Sequence, residues 1–215
     1  MAQNNGTGST GENPVVVEPV DFAFDEQSER EIAVAVAKYP PGRQASAVIA
    51  LLYSVQHQMG RQTGSTWVPR AAMDVVAARL QMAPIRVYEV ATFYLMFNTT
   101  PVGRYHLQIC VTTPCWLRGS DDIERACRKV TGIKGWSEQS SDGMFTLSQV
   151  ECLGACVNAP ILVVDDDYYE DLDGPATEAL LAALARGERP KPGSMTGRQT
   201  SAPAGGPTTL LTITE

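Results

Sequence analysis

The chain has five cysteines, and four of them fall in two close pairs. "QICVTTPCWLRG" carries Cys110 and Cys115 with four residues between them; "LSQVECLGACVNAP" carries Cys152 and Cys156 with three. Soft sulfur donors that converge suit zinc or an iron–sulfur cluster. Zinc knuckles favour two intervening residues, although two to four occur. The wider loops here can wrap a larger object, and in a 2Fe–2S cluster each iron takes two cysteine sulfurs. Gly154 permits unusual backbone angles and lets amides approach sulfur. Thr112 and Thr113 could also donate hydrogen bonds there, and such donors raise a cluster's reduction potential. The bland alternative is four incidental buried thiols, and a zinc module is the chemical rival. Cys127 shares a helical face with Ile123, Ala126 and Val130 and reads as a small core residue.

Other chemistries find less support. A thioredoxin-type disulfide catalyst would want C-x-x-C at a helix start, and no such spacing occurs. His57 and His106 stand apart from the cysteines and read as satisfied surface or core histidines. "DDDYYED" lacks the spaced ligands and glycine of a calcium loop and reads as a hairpin turn. There is no G-x-G-x-x-G and no G-x-x-x-x-G-K-[ST], so neither NADH nor FMN is expected to bind this chain alone. "RAAMDVVAARLQMAPIRVYEVATF" has the outline of a helix-turn-helix. Its second helix offers Arg86 beside Glu89 and little else to read DNA, so helix packing is the better explanation.

Each cysteine pair must be positioned by the element before it. "GRYHLQICV" alternates Tyr105, Leu107 and Ile109 against His106 and Gln108, a strand period, and "GMFTLSQVEC" reads as a second strand. Each pair therefore leaves the end of a strand into a loop, and in a small sheet those loops can lie side by side. "SDDIERACRKVTGI" reads as a helix capped by Ser120, with Asp121 and Asp122 at its positive end. "PILVVDDDYYEDL" reads as two strands joined near Asp166 and Asp167. "GPATEALLAALARG" reads as a helix with Leu180, Leu181 and Leu184 inward and Gly187 past its end.

Upstream the periodicity is helical. "SEREIAVAVAKYP" opens on Ser28 as a cap, with Glu31 at capping-box spacing, and ends at Pro40 and Pro41. "QASAVIALLYSVQHQMG" sets Val48, Leu51, Leu52, Val55 and Met59 on one stripe and stops at Gly60. In the next two helices Met73, Val76, Ala77 and Leu80 share one face, and Val87, Val90, Ala91 and Tyr94 another. The expected fold is α+β: a polar flexible arm over 1–24, a helical bundle over 25–100, an α/β domain with a small mixed sheet over 101–187, and an extended tail over 188–215, mobile or laid on a partner.

The 215 residues are 44% hydrophobic and 19% charged, enough for a sizeable core, and the net charge of −7 disfavours nucleic acid. No apolar run reaches the roughly 18 residues of a membrane span. The first residues lack the basic and apolar regions of a secretory signal, so a bacterial cytoplasmic protein is expected. In a reducing compartment clustered cysteines mean metal or redox chemistry more often than disulfides.

"CVTTPCWLRG" and "GMFTLSQVECLGACVNAPILVVDDDYYEDL", with "WVPRAAMDVVAARLQMAPIRVYEVATFYLMF" upstream, resemble the thioredoxin-like 2Fe–2S ferredoxin family, and within it the 24-kDa subunits of respiratory complex I, NADH:quinone oxidoreductase. The similarity runs from about residue 28 to 187. It implies a thioredoxin-like ferredoxin domain, with Cys110, Cys115, Cys152 and Cys156 as ligands of one 2Fe–2S cluster and no other cofactor on the chain. It implies a partner flavoprotein subunit holding FMN and NADH, neighbouring peripheral-arm subunits, and a place on the cytoplasmic face of the inner membrane without insertion into it. The cluster would exchange electrons with the FMN. Related ferredoxin subunits serve NAD-dependent formate dehydrogenases and NAD-linked hydrogenases; the tail and the closeness of the motif favour complex I.

Overall fold

The structure, a computed structural model, describes residues 18–199, 201–203, 205–206, 208–209 and 211. Most of the expected N-terminal arm, and all of "LLTITE" but Leu211, lie outside these residues. The chain divides into two compact units. One holds the described residues up to Gln56 together with Trp67–Pro101; the other holds His57–Thr66 and the described residues from Val102 onward.

The first unit is helical. α1 (Glu26–Ala37) is capped by Asp25, not Ser28: the Asp25 carboxylate accepts the Ser28 amide at 2.7 Å, and Ser28 is a buried first-turn residue. The capping-box spacing is thus a coincidence, with the acidic residue three positions earlier winning the role. Asp25→Ala should lower stability by about 1 kcal/mol in urea unfolding, the usual cost of a lost N-cap. α2 (Val48–Thr63), which from His57 onward is counted with the second unit, buries Val48, Leu51, Leu52, Val55 and Met59 as expected, but runs through Gly60. The true stop is Gly64, at φ +79. Gly60 answers a packing need instead, since a Cβ there would sit 2.7 Å from the Thr66 methyl. α3 (Arg70–Leu80) buries Met73, Val76, Ala77 and Leu80. α4 (Pro84–Phe93) starts with proline in its first turn and buries Val87 and Ala91. Tyr94 is its extended C-cap and is partly exposed, so it does not continue the inward face.

The second unit is built on a mixed sheet. β1 (Tyr105–Cys110) lies inside it, parallel to β3 (Phe145–Val150) and antiparallel to β4 (Leu162–Val164). β2 (Glu138–Gln139) flanks β3; β5 (Asp167–Glu170) and β6 (Gly193–Ser194) follow β4, giving the order β2-β3-β1-β4-β5-β6. Between β1 and β3 run α5 (Thr113–Leu117) and α6 (Ser120–Thr131); α7 (Gly174–Ala185) follows β5. α6, α7 and one sheet face close a core of Leu107, Ile109, Ile123, Cys127, Leu147, Leu162, Leu181 and Leu184. The opposite face is not solvent: His106 is buried too, so the period-two alternation of β1 does not separate inside from outside.

Several local expectations shift. Ser120 is the first residue of α6 and makes no cap; the N-cap is Gly119, at φ +100. Val130 is 39% exposed, apart from the buried Ile123, Ala126 and Cys127. The β4–β5 turn is Asp165–Asp166, with Asp165 at φ +57, and Asp167 already belongs to β5. α7 matches its sequence reading, with Leu180, Leu181 and Leu184 buried and Gly187 at φ +81 past its end. The start of the tail is neither free nor detached: β6 pairs with β5, and Tyr169 Oη donates to the Pro190 carbonyl at 2.9 Å.

Candidate metal centre

The parallel pairing of β1 and β3 is what brings the cysteine loops together. The strands run in register from Tyr105↔Phe145 to Cys110↔Val150, and the Val111 amide donates to the Val150 carbonyl at 3.1 Å. Cys110 therefore ends one strand beside the residue that ends the other, and Cys152 follows two residues on. The first cysteine interval is not a loop: after Thr112 the chain forms α5, which carries Cys115 back toward the sheet with the Trp116 amide donating to the Thr112 carbonyl at 2.9 Å. Pro114 in the first turn favours that short helix, a signal the sequence reading passed over.

Cys110 and Cys115 are each about 1% exposed and pack with Ala159, Ile161 and Val163, with Leu153, Ala155 and Tyr168 against them. Cys156 is half-buried and Cys152 is exposed; their sulfurs lie 3.3 Å apart. A 3₁₀ turn, Cys156–Asn158, follows. Gly154 stands at φ +84, where a side chain would be strained. Tyr168 Oη donates to the Leu153 carbonyl at 3.2 Å and ties this second loop to β5.

Hydrogen-bond donors surround the sulfurs. Burial pushes the Cys110 thiol up, but the Thr112 hydroxyl (3.2 Å from Sγ) and amide, with help from Cys115 and the Leu153 amide, hold it below its ordinary value. Cys115 is pushed up to about 12, by burial and by Cys110 beside it, against a bond from the Ile161 amide. The Gly154 amide and the Cys156 thiol lower Cys152; Cys152 in turn, with some burial, raises Cys156. Four gathered thiolates need a positive core to neutralise them. Among the described residues no three or more His, Cys, Asp or Glu side chains close on a single-ion point. The grouping is two thiol pairs in mutual electrostatic reach, since Cys110 acts on Cys115, Cys152 and Cys156 alike.

Thr112 takes the donor role expected of it, and at Gly154, expected to let amides approach sulfur, the amide acts on Cys152; Thr113, the other expected donor, is the first residue of α5, and the Leu153 and Ile161 amides and Tyr168 were not foreseen, because backbone donors and cross-strand ties leave no mark in residue type. Cys127 is fully buried in the main core, its thiol pushed up to about 12 by burial, and only Glu124 and Arg128 act on it otherwise. His106 is a core histidine, and His57 Nε2 lies 2.9 Å from an Asp166 carboxylate oxygen. Arg86 pairs with Glu89 at 2.8 Å on one helix.

The profile of the family described as thioredoxin-like [2Fe-2S] ferredoxin matches residues 32–185. The chain is 50% identical over 160 residues to a subunit of the NADH-quinone oxidoreductase of Rickettsia typhi, covering 74% of this chain and 91% of that one. It is 42% identical over 194 residues to the mitochondrial NADH dehydrogenase [ubiquinone] flavoprotein 2 of Dictyostelium discoideum, covering 90% and 76%. Among solved structures, an air-oxidised NAD+-reducing [NiFe]-hydrogenase superposes with a TM-score of 0.52 at 18% identity over 63% of this chain and 23% of that one, a likeness of fold alone.

Proposed function

Because this chain belongs to the thioredoxin-like [2Fe-2S] ferredoxin family, we propose that it is the 2Fe–2S electron-transfer subunit of an NADH:quinone oxidoreductase, with Cys110, Cys115, Cys152 and Cys156 as the cluster ligands. The observation that carries the ligand assignment is the in-register β1–β3 pair, which delivers both thiol pairs to one end of the sheet. The donor set fits: four cysteines in two pairs are what a 2Fe–2S cluster takes, two on each iron. When bound, the cluster supplies one-electron transfer.

The chain's own residues set the conditions for it. Cys110 and Cys115 would hold the cluster from an apolar pocket shared with Ile161 and Val163. The exposed Cys152 and half-buried Cys156 would hold it from the side open to a partner. Amides of Leu153, Gly154 and Ile161 and the Thr112 hydroxyl offset negative charge on sulfur, which favours the reduced state. Trp116, Leu117 and Val157, exposed by 57%, 70% and 60%, flank the cysteine-bearing segments. They supply an apolar rim on which a flavoprotein subunit carrying FMN and NADH would sit, as one member of a multi-subunit assembly. Among the described residues no helix is long and apolar enough to cross a membrane; the chain's place is the peripheral arm, on the cytoplasmic face of the membrane.

The test is electron exchange with that partner. The loaded chain, reduced with dithionite and freed of excess reductant, is mixed with the oxidised FMN-bearing subunit. Bleaching of the flavin absorbance as the cluster reoxidises is the expected result. A flavin that stays oxidised beside a reduced cluster, in a complex shown to have formed, would contradict the electron-exchange role.

A further inference from the structure

After α7 the chain turns back along the domain, and its contacts fall in two groups. Arg189 reaches Asp165 at 3.0 Å and Asp167 at 3.3 Å, on the β4–β5 hairpin. Further on, Arg198 reaches the segment that carries Cys156. Its Nε and Nη2 donate to the two oxygens of Asp171 at 3.0 and 2.7 Å, and Nη2 also donates to the Val157 carbonyl at 2.9 Å and to Asn158 Oδ1. Val157 and Asn158 directly follow Cys156 in the chain.

The receiving side is built for this contact. Asp171 stands in the left-handed region, at φ +54, where a non-glycine residue is uncommon. That backbone aims its amide at the Asn158 carbonyl, 2.7 Å away, while its carboxylate also accepts the Ser194 hydroxyl at 2.6 Å. Asn158 in turn donates to Glu170 at 2.5 Å. The Asp171 and Arg198 side chains are 9% and 20% exposed. A two-pronged, shielded, charge-assisted contact is among the stronger ones a protein makes, whereas exposed pairs such as Arg186 with Glu188 contribute little. Removing the arginine also leaves a poorly solvated carboxylate without its partner. Arg198 lies past residues 32–185, the stretch that carries the family signature.

We propose that Arg198 is a positioning residue for the cluster site: it fastens the Cys156 segment to the end of β5, so that the outer thiol pair keeps its geometry. The proposal rests on the reading that Cys152 and Cys156 are ligands. It concerns the guanidinium and not the tail as a whole, which is why Arg189 provides the comparison.

The full chain is prepared loaded, as wild type, Arg198→Ala, Arg198→Lys and Arg189→Ala, and iron release to a chelator is timed. Arg198→Ala should release iron about tenfold faster, the local opening expected when charge-assisted bonds are lost. Arg198→Lys, which keeps the charge without the fork, should fall between, and Arg189→Ala should match wild type. In parallel, chains stripped of metal are alkylated under native conditions and each thiol is followed by mass spectrometry. Cys156 should react about tenfold faster in Arg198→Ala, with Cys127 unchanged. Equal release rates in wild type and Arg198→Ala, or an equal acceleration in Arg189→Ala, would overturn the proposal. A wild-type chain that holds no iron overturns the ligand reading alone. The Cys156 alkylation ratio then decides the clamp: a tenfold rise supports it, and a ratio of one overturns it.

Discussion

Cys110→Ala and Cys156→Ala are each expected to abolish the cluster, while Cys127→Ala keeps it. The reason is placement. Cys110 closes β1 beside Val150, with donors from Thr112 and Leu153 on its sulfur. Cys156 is held against Cys152, 3.3 Å away. Losing either leaves three thiols for two irons that need four. Cys127 lies in the core among Ile123, Leu181 and Leu184. Its removal should cost about 1–2 kcal/mol of stability through a small cavity, with no loss of iron. Iron and acid-labile sulfide per chain read both outcomes, and a normal cluster in Cys110→Ala would contradict the ligand assignment.

The second large effect concerns acid. His106 is 6% exposed, on a strand inside the sheet, and burial lowers its pKa to about 4 from an ordinary 6.5. Its Nε2 lies 2.9 Å from Ser148 Oγ, while Gln108 Nε2 approaches Nδ1 at 3.5 Å, an arrangement that suits a neutral ring donating from Nε2. The folded value lies below the unfolded one. The neutral ring's contribution is therefore fully present above pH 6.5 and lost as pH falls through 4. The loss amounts to as much as about 3 kcal/mol. Asp165, whose carboxylate accepts the His106 amide at 2.9 Å, acts the other way, since burial raises its pKa and its protonation relieves the folded state. Urea unfolding at successive pH values should show a decline over that window, flatter in His106→Gln. Parallel slopes in the two proteins would show that this imidazole is not the titrating group.

Much of the site is legible in residue types. The cysteine pairs stand at strand ends, Thr112 and Gly154 are recognisable as sulfur partners, and both β1 and β3 read as strands. What the sequence conceals is long-range or backbone-borne. α5 is hidden because five residues are too few to show a period. Ser28 and Ser120 are plausible caps by type, yet Asp25 and Gly119 hold those positions. Gly60 has the type of a helix stop, although its task is to admit the Thr66 methyl. The tail looks structureless because its order comes from Tyr169, Asp165 and Asp171, partners 21 to 27 residues earlier in the chain.

The most direct test is metal and acid-labile sulfide content of the full chain purified without air, with an EPR spectrum after dithionite reduction. Two irons and two sulfides per chain, with a signal that appears only on reduction, is the predicted result. One zinc per chain, no sulfide and no signal would contradict it, and would make the four cysteines a structural metal site with no electron to pass.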